Sequence, residues 1–194
     1  MAICSHDLTI QPFNTETPMS DLSKEYLTES IKSFHGLKSN AEKAIAQLAD
    51  SDLHYQPNEE SNSIVIIMKH IAGNMLSRFT DFLTTDGEKP NRNRDNEFID
   101  DFKSRNELMN SWNKGWACLY KALEELKEDD LLKIIYIRNE PHTVLRALQR
   151  QLAHYAYHCG QIVFLAKQIK STDFKTLSIA RGKSDEFISK PPQN

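Results

Sequence analysis

Apolar residues recur at three- and four-residue intervals over four long stretches of this chain, the spacing that lines one face of an α-helix. The first stretch covers about 21–49 and carries Leu22, Tyr26, Leu27, Ile31, Phe34, Ala41, Ile45 and Leu48. Gly36 near its middle is a point where that helix can bend. Pro57 marks the loop that follows. The second helix starts at Asn62 or Ser63, either of which can cap the free N–H groups of a first turn. It continues through IVIIMKHIAGNMLSRFTDFL until Gly87 and Pro90 break it in TTDGEKPNRNRD. The third covers about 104–127, with Leu108, Trp112, Trp116, Leu119, Leu123 and Leu126, and the fourth about 143–170. Between them, Ile134, Ile135, Tyr136 and Ile137 favour extended backbone, and Asn139, Glu140 and Pro141 read as a turn. A short strand or hairpin is expected there.

This order predicts an all-α fold, a four-helix bundle with one longer crossover. Residues 1–18 hold Pro12 and Pro18 without a clear period and read as an N-terminal arm. Residues 19–194 form a single domain that ends, from about 171, in an irregular C-terminal arm.

Composition narrows the function classes. Hydrophobic residues make up 39% and charged residues 26% of 194 residues, which suits one soluble globular domain. A formal net charge of −3 argues against nucleic acid as the main partner, because a phosphate-binding footprint would be basic. No apolar run approaches the roughly 18 residues of a membrane span. The start, MAICSHDLTIQPF, lacks a basic segment followed by an apolar one, so no secretory signal and no membrane role are expected. Cys4, Cys118 and Cys159 are an odd, scattered set without a CxxC pattern, as for reduced thiols in a cytoplasm.

Three histidines carry the candidate chemistry. On the fourth helix, His154 and His158 lie together beside an apolar arc of Leu145, Leu148, Leu152, Cys159, Ile162 and Val163, with Gln161 and Leu165 on their own stripe. Four residues of helix separate two rings by about 6 Å along the axis, so both can reach one ion. No Glu follows the first His, so the general base of the helical metalloprotease motif is missing. On the second helix His70 sits beside the arc of Ile64, Met68, Ile71, Met75 and Phe82. Asn74 and Arg78 follow it by one and two turns. Three imidazoles from two helices would form an open nitrogen face for a divalent transition metal. The same pattern also describes three structural histidines, since nothing in the order of residues makes the two helices meet.

Arg78 either neutralises an anionic substrate group or pairs with a nearby carboxylate. His142, at the lead-in to the fourth helix, is a weaker candidate that points toward the site. His6, His35 and His54 belong to no constellation. Trp112 and Trp116 are core anchors, and Cys159 is a buried thiol. DGEKPNRNRD is a solvated loop whose basic residues could line a mouth for anions, and RGKSDEF lacks the spacing of a phosphate-cradling loop.

KHIAGN around His70, together with HYAYHCGQIVFLAK around His154 and His158, resembles the DinB/YfiT-like superfamily. IIMKHIAGNMLSRFTDFLTTDGEKPNRNRD and SIARGKSDEF resemble one of its subfamilies of unknown function. The resemblance covers most of the chain. It implies an up-down-down-up four-helix bundle, commonly a homodimer, with a divalent metal at the positions of His70, His154 and His158. Nickel or zinc is implied first, with manganese or iron also suited. Some members of the superfamily transfer or isomerise with low-molecular-weight thiols.

Two readings follow. One is a metal-dependent enzyme acting on a small-molecule substrate or thiol cofactor, a thiol S-transferase or a hydrolase. In it, Asn74 and Gln161 orient ligands and Arg78 holds a carboxylate. The other is a non-catalytic, stress-related bundle that binds a metal or ligand.

Overall fold

The computed structural model of the chain describes residues 19–186, so the expected N-terminal arm lies outside the described residues. Four helices form the bundle: α1 (Met19–Ile45), α2 (Ile64–Phe79), α3 (Arg105–Glu125) and α4 (Val144–Lys170). A two-stranded antiparallel hairpin, β1 (Ile134–Ile137) and β2 (Glu140–Thr143), precedes α4. Helix α1 packs chiefly on α4 and α2 on α3, while α2 also touches α4.

Hydroxyl caps set three helix starts. Ser63 Oγ accepts from the Ile66 amide, Ser104 Oγ from that of Glu107, and Thr143 Oγ1 from that of Arg146. Of the two expected caps for the second helix, Ser63 serves. That helix stops at Phe79 rather than continuing to 83, because the chain turns at Asp81 with a φ of 48°.

Helix α2 is the central element and is buried almost all round. Its interior includes a polar stripe, His70, Asn74, Ser77 and Arg78, at helical spacing. Trp112 and Trp116 are fully buried, as expected of core anchors. On α4 the buried stripe runs through Val144, Leu148, Gln151, Tyr155, Cys159 and Ile162. Leu145 is exposed and Val163 only half-buried, so the core-facing arc is rotated from the one expected. A buried Gln is invisible to a search for apolar periodicity.

Helices α2 and α3 approach each other closely at Gly115. A Cβ on Gly115 would stand 2.8 Å from Ala72 Cα and 3.1 Å from Ala72 O. Both are backbone atoms, so the helices themselves would have to separate. Beyond α4, Phe174 and Leu177 pack against the core, and Gln47 exchanges hydrogen bonds with the Lys175 amide and carbonyl. Residues 187–194 of the expected C-terminal arm lie outside the described residues.

Gly115→Ala is expected to destabilise the bundle by about 1–3 kcal/mol through overpacking against that backbone. Chemical denaturation should show a lower midpoint with an unchanged slope, and a wild-type midpoint would contradict the close approach.

Candidate metal centre

The polar stripe of α2 faces the His pair of α4, and the three rings converge. His154 Nε2 lies 3.3 Å from His70 Nε2 and 3.1 Å from His158 Nε2. Ligand atoms of all three lie within 4.8 Å of one another. Nitrogens bound to one ion at about 2.0–2.1 Å are themselves roughly 3.0–3.4 Å apart, so the observed spacing suits a shared ion.

The outer ring nitrogens explain why the Nε2 atoms turn inward. His70 Nδ1 lies 2.9 Å from Glu97 Oε2, and a carboxylate only accepts, so Nδ1 carries the proton. His158 Nδ1 donates to Gln161 Oε1 at 2.8 Å. Each bond leaves an Nε2 lone pair facing His154 Nε2. A single N–H on that atom could satisfy only one of the two. Three inward nitrogens with at most one proton among them are a donor set short of a cation. Burial, reinforced by His158 and His70, pushes His154 down to about 3, so this ring is neutral at physiological pH. Burial also lowers His158, against the opposing hydrogen bond to Gln161.

Glu97 enters from a single 3-10 turn, Asp95–Phe98, in the long connection after α2. Burial opposes its ionisation, but the hydrogen bond from His70 and the Arg92 guanidinium outweigh that and hold its carboxyl below the usual range. Arg92 forks onto it, Nε to Oε1 and Nη2 to Oε2, each at 2.8 Å. Gly73 makes room, since a Cβ there would stand 2.5 Å from Glu97 Oε1. Phe98 stacks on His70 with ring centroids 5.0 Å apart.

The remaining sequence candidates divide. Gln161 touches the cluster through His158. Asn74 is buried one turn beyond His70, where its Oδ1 accepts from Tyr155 Oη at 2.9 Å. Of the two roles expected for Arg78, it makes the ion pair, Nη2 to Glu88 Oε2 at 2.9 Å, and it donates to the Gly87 carbonyl. It also lines a cavity of about 220 Å³ that opens onto His70 and His154. His142 is buried on β2 and bonds the Glu140 carbonyl, outside both the ring cluster and that cavity. Cys159 is buried, which pushes its thiol up to about 12 and makes it a poor nucleophile or ligand. A larger groove of about 1040 Å³ shares Arg92 and Arg138 with that cavity and is lined by Glu97 as well, but no histidine lines it.

Sequence reasoning missed Glu97, Arg138, Arg150 and Gln151. Glu97 lies 27 residues from His70 in an irregular segment, so no helical spacing connects them. Arg92 and Arg94 were within reach, as two of the basic residues in DGEKPNRNRD.

A family described as "Protein of unknown function (DUF1572)" matches residues 21–183, a span that includes all three histidines and Glu97. The chain belongs to this family. Among solved structures, "the conserved protein of locus from Enterococcus faecalis" is similar at 18% identity, with a TM-score of 0.50. The match covers 76% of this chain and 95% of that one. At that identity the likeness is one of fold. No curated protein matches the sequence. No helix among the described residues is long and apolar enough to cross a membrane.

The His154 shift sets a pH dependence for the metal-free protein. The unfolded ring takes a proton near 6.5 and the folded one only near about 3. Between these values the unfolded chain binds the extra proton, so stability falls as pH drops. Urea midpoints of metal-free protein should decline from pH 7 to pH 5, and His154→Gln should flatten that decline. An equal decline in the variant would assign the loss elsewhere.

Proposed function

We propose that this member of the family is a DinB/YfiT-like metalloprotein in which His70, His154 and His158 hold a divalent transition metal for a metal-dependent reaction. Transfer to or from a low-molecular-weight thiol is the first candidate reaction. The observation that carries the metal is the set of three converging Nε2 atoms, two of them turned inward by Glu97 and Gln161. Zinc and nickel suit three imidazoles, whereas magnesium and calcium prefer oxygen ligands. Thiol chemistry rests on the sequence resemblance alone.

When bound, such an ion lowers the pKa of a coordinated thiol or water. The chain's own residues do the rest. Glu97 and Gln161 keep the Nδ1 protons of His70 and His158 in place, so that both rings present a lone pair inward. Arg92 keeps Glu97 ionised while buried. Phe98 covers one face of His70 and limits water there.

A non-catalytic reading has its own support. Among the described residues, Glu97 is the carboxylate that touches the rings, and it is committed to His70 and Arg92 rather than free to move protons.

Elemental quantification on untagged protein should find about one divalent metal per chain, lost in His154→Ala and His158→Ala. Glu97→Gln should retain the fold and weaken metal affinity about 10–100-fold. Absence of metal from protein loaded with zinc and with nickel would remove the metal reading. Loaded protein is then assayed for conjugation of thiols to electrophiles. Turnover that disappears in His158→Ala supports the enzyme, and equal turnover in that variant takes the ion out of the mechanism. Metal without turnover favours the non-catalytic reading.

A further inference from the structure

The cavity beside the histidines has an unusual lining. Arg78, Arg92, Arg94, Arg138 and Arg150 all border it, together with Gln151. They come from α2, the connection after it, the hairpin turn and α4. The whole chain has only eight arginines, so five of eight meet at one cavity, while no lysine among the described residues does. Solvation of a surface would not sort the two cations this way. A guanidinium presents a planar fork of donors that matches an oxyanion, and a lysine ammonium does not.

The charges are only partly compensated. Glu88 pairs with Arg78, Arg92 and Arg138, and Glu97 with Arg92. Among the described residues no carboxylate pairs with Arg94 or Arg150. Five guanidiniums against three carboxylates, Glu88, Glu97 and Asp86, leave a concentrated positive field in a chain whose formal net charge is −3. Two buried groups also lack partners: Gln151 Oε1 and Arg78 Nε make no hydrogen bond, though both residues are about 4% exposed or less. A buried polar atom without a partner costs free energy, and a ligand supplies one.

A tight hairpin turn carries one of these arginines, and a two-residue loop of this kind requires positive φ at both positions. Arg138 and Asn139 form that turn, with φ of 56° and 61°. The Asp86 carboxylate accepts both their amide N–H groups, at 2.9 and 2.8 Å, and so secures the turn that carries Arg138 to the cavity.

We propose that this pocket binds the oxyanion group of a small anionic substrate, a phosphate monoester or a carboxylate, and presents its remainder to the face of His70 and His154. A volume of about 220 Å³ holds roughly seven waters at about 30 Å³ each. That admits a phosphate or a short dicarboxylate. The reactive end rests on the metal reading above, but the binding of the anion does not.

The test is calorimetric titration of full-length, untagged protein with inorganic phosphate and, separately, with succinate at low salt. It is run on metal-loaded and on metal-stripped samples. Saturable one-site binding of at least one anion is expected in both samples, weakening as salt rises. The preferred anion tells a phosphoryl from a carboxylate source. Arg94→Gln and Arg150→Gln remove exposed side chains without carboxylate partners, so both variants should melt like wild type. Each should weaken binding about 5- to 20-fold, and Arg150→Lys should restore only part of the loss. Failure of both anions to bind, or wild-type affinity in both glutamine variants, would overturn the proposal. Metal binding with no anion binding sinks this inference alone. Arginine-dependent anion binding in a protein that takes no metal sinks the metal reading and leaves the pocket standing.

Discussion

Glu97 occupies a position where burial alone would keep a carboxyl neutral, yet it accepts a proton-bearing nitrogen of His70 on one side and the fork of Arg92 on the other. Each member of this chain needs the next. Without Arg92 the carboxylate would be an uncompensated buried charge, and without the carboxylate His70 would have no fixed tautomer. The bond also clamps the connection after α2 onto that helix. Gly73 allows it, since any side chain there would occupy the space of the carboxylate. Local architecture and candidate chemistry therefore share one interaction.

The arginines extend the same logic outward. Glu88 gathers Arg78, Arg92 and Arg138 at one carboxylate, and Asp86 fastens the hairpin turn through backbone amides. Like charges are thus brought close without an equal number of counter-charges, an arrangement that repels itself and costs stability. Such a cost is ordinary at a site built to receive an anion and hard to explain by packing. His154 stands at the edge of this field, where Arg78 and Arg150 add to the burial that disfavours its protonation.

How much of this was legible varied with the physics involved. Helices α3 and α4 and the hairpin were readable because periodicity and β-branched residues report local preference directly. His70, His154 and His158 were readable as a set because helical spacing places each beside an apolar face. The end of α2 was misplaced because Phe82 continues the apolar period even though the backbone turns at Asp81. The buried arc of α4 was misjudged because Gln151 and Tyr155 face inward while Leu145 is exposed and Val163 only half-buried. Arg78 was noticed as a cation, but its companions were scattered over 72 residues of sequence and several element types.

By itself, the order of residues determined four amphipathic helices, a capping residue at the start of the second, the hairpin and the three ring nitrogens on offer, because these depend on neighbours within about a turn of backbone. Only the tertiary structure decided that the rings meet, that Glu97 orients one of them and that five guanidiniums close around the space beside them. Those outcomes depend on which helix faces pack together and on where an irregular connection returns, and neither quantity has a period in sequence.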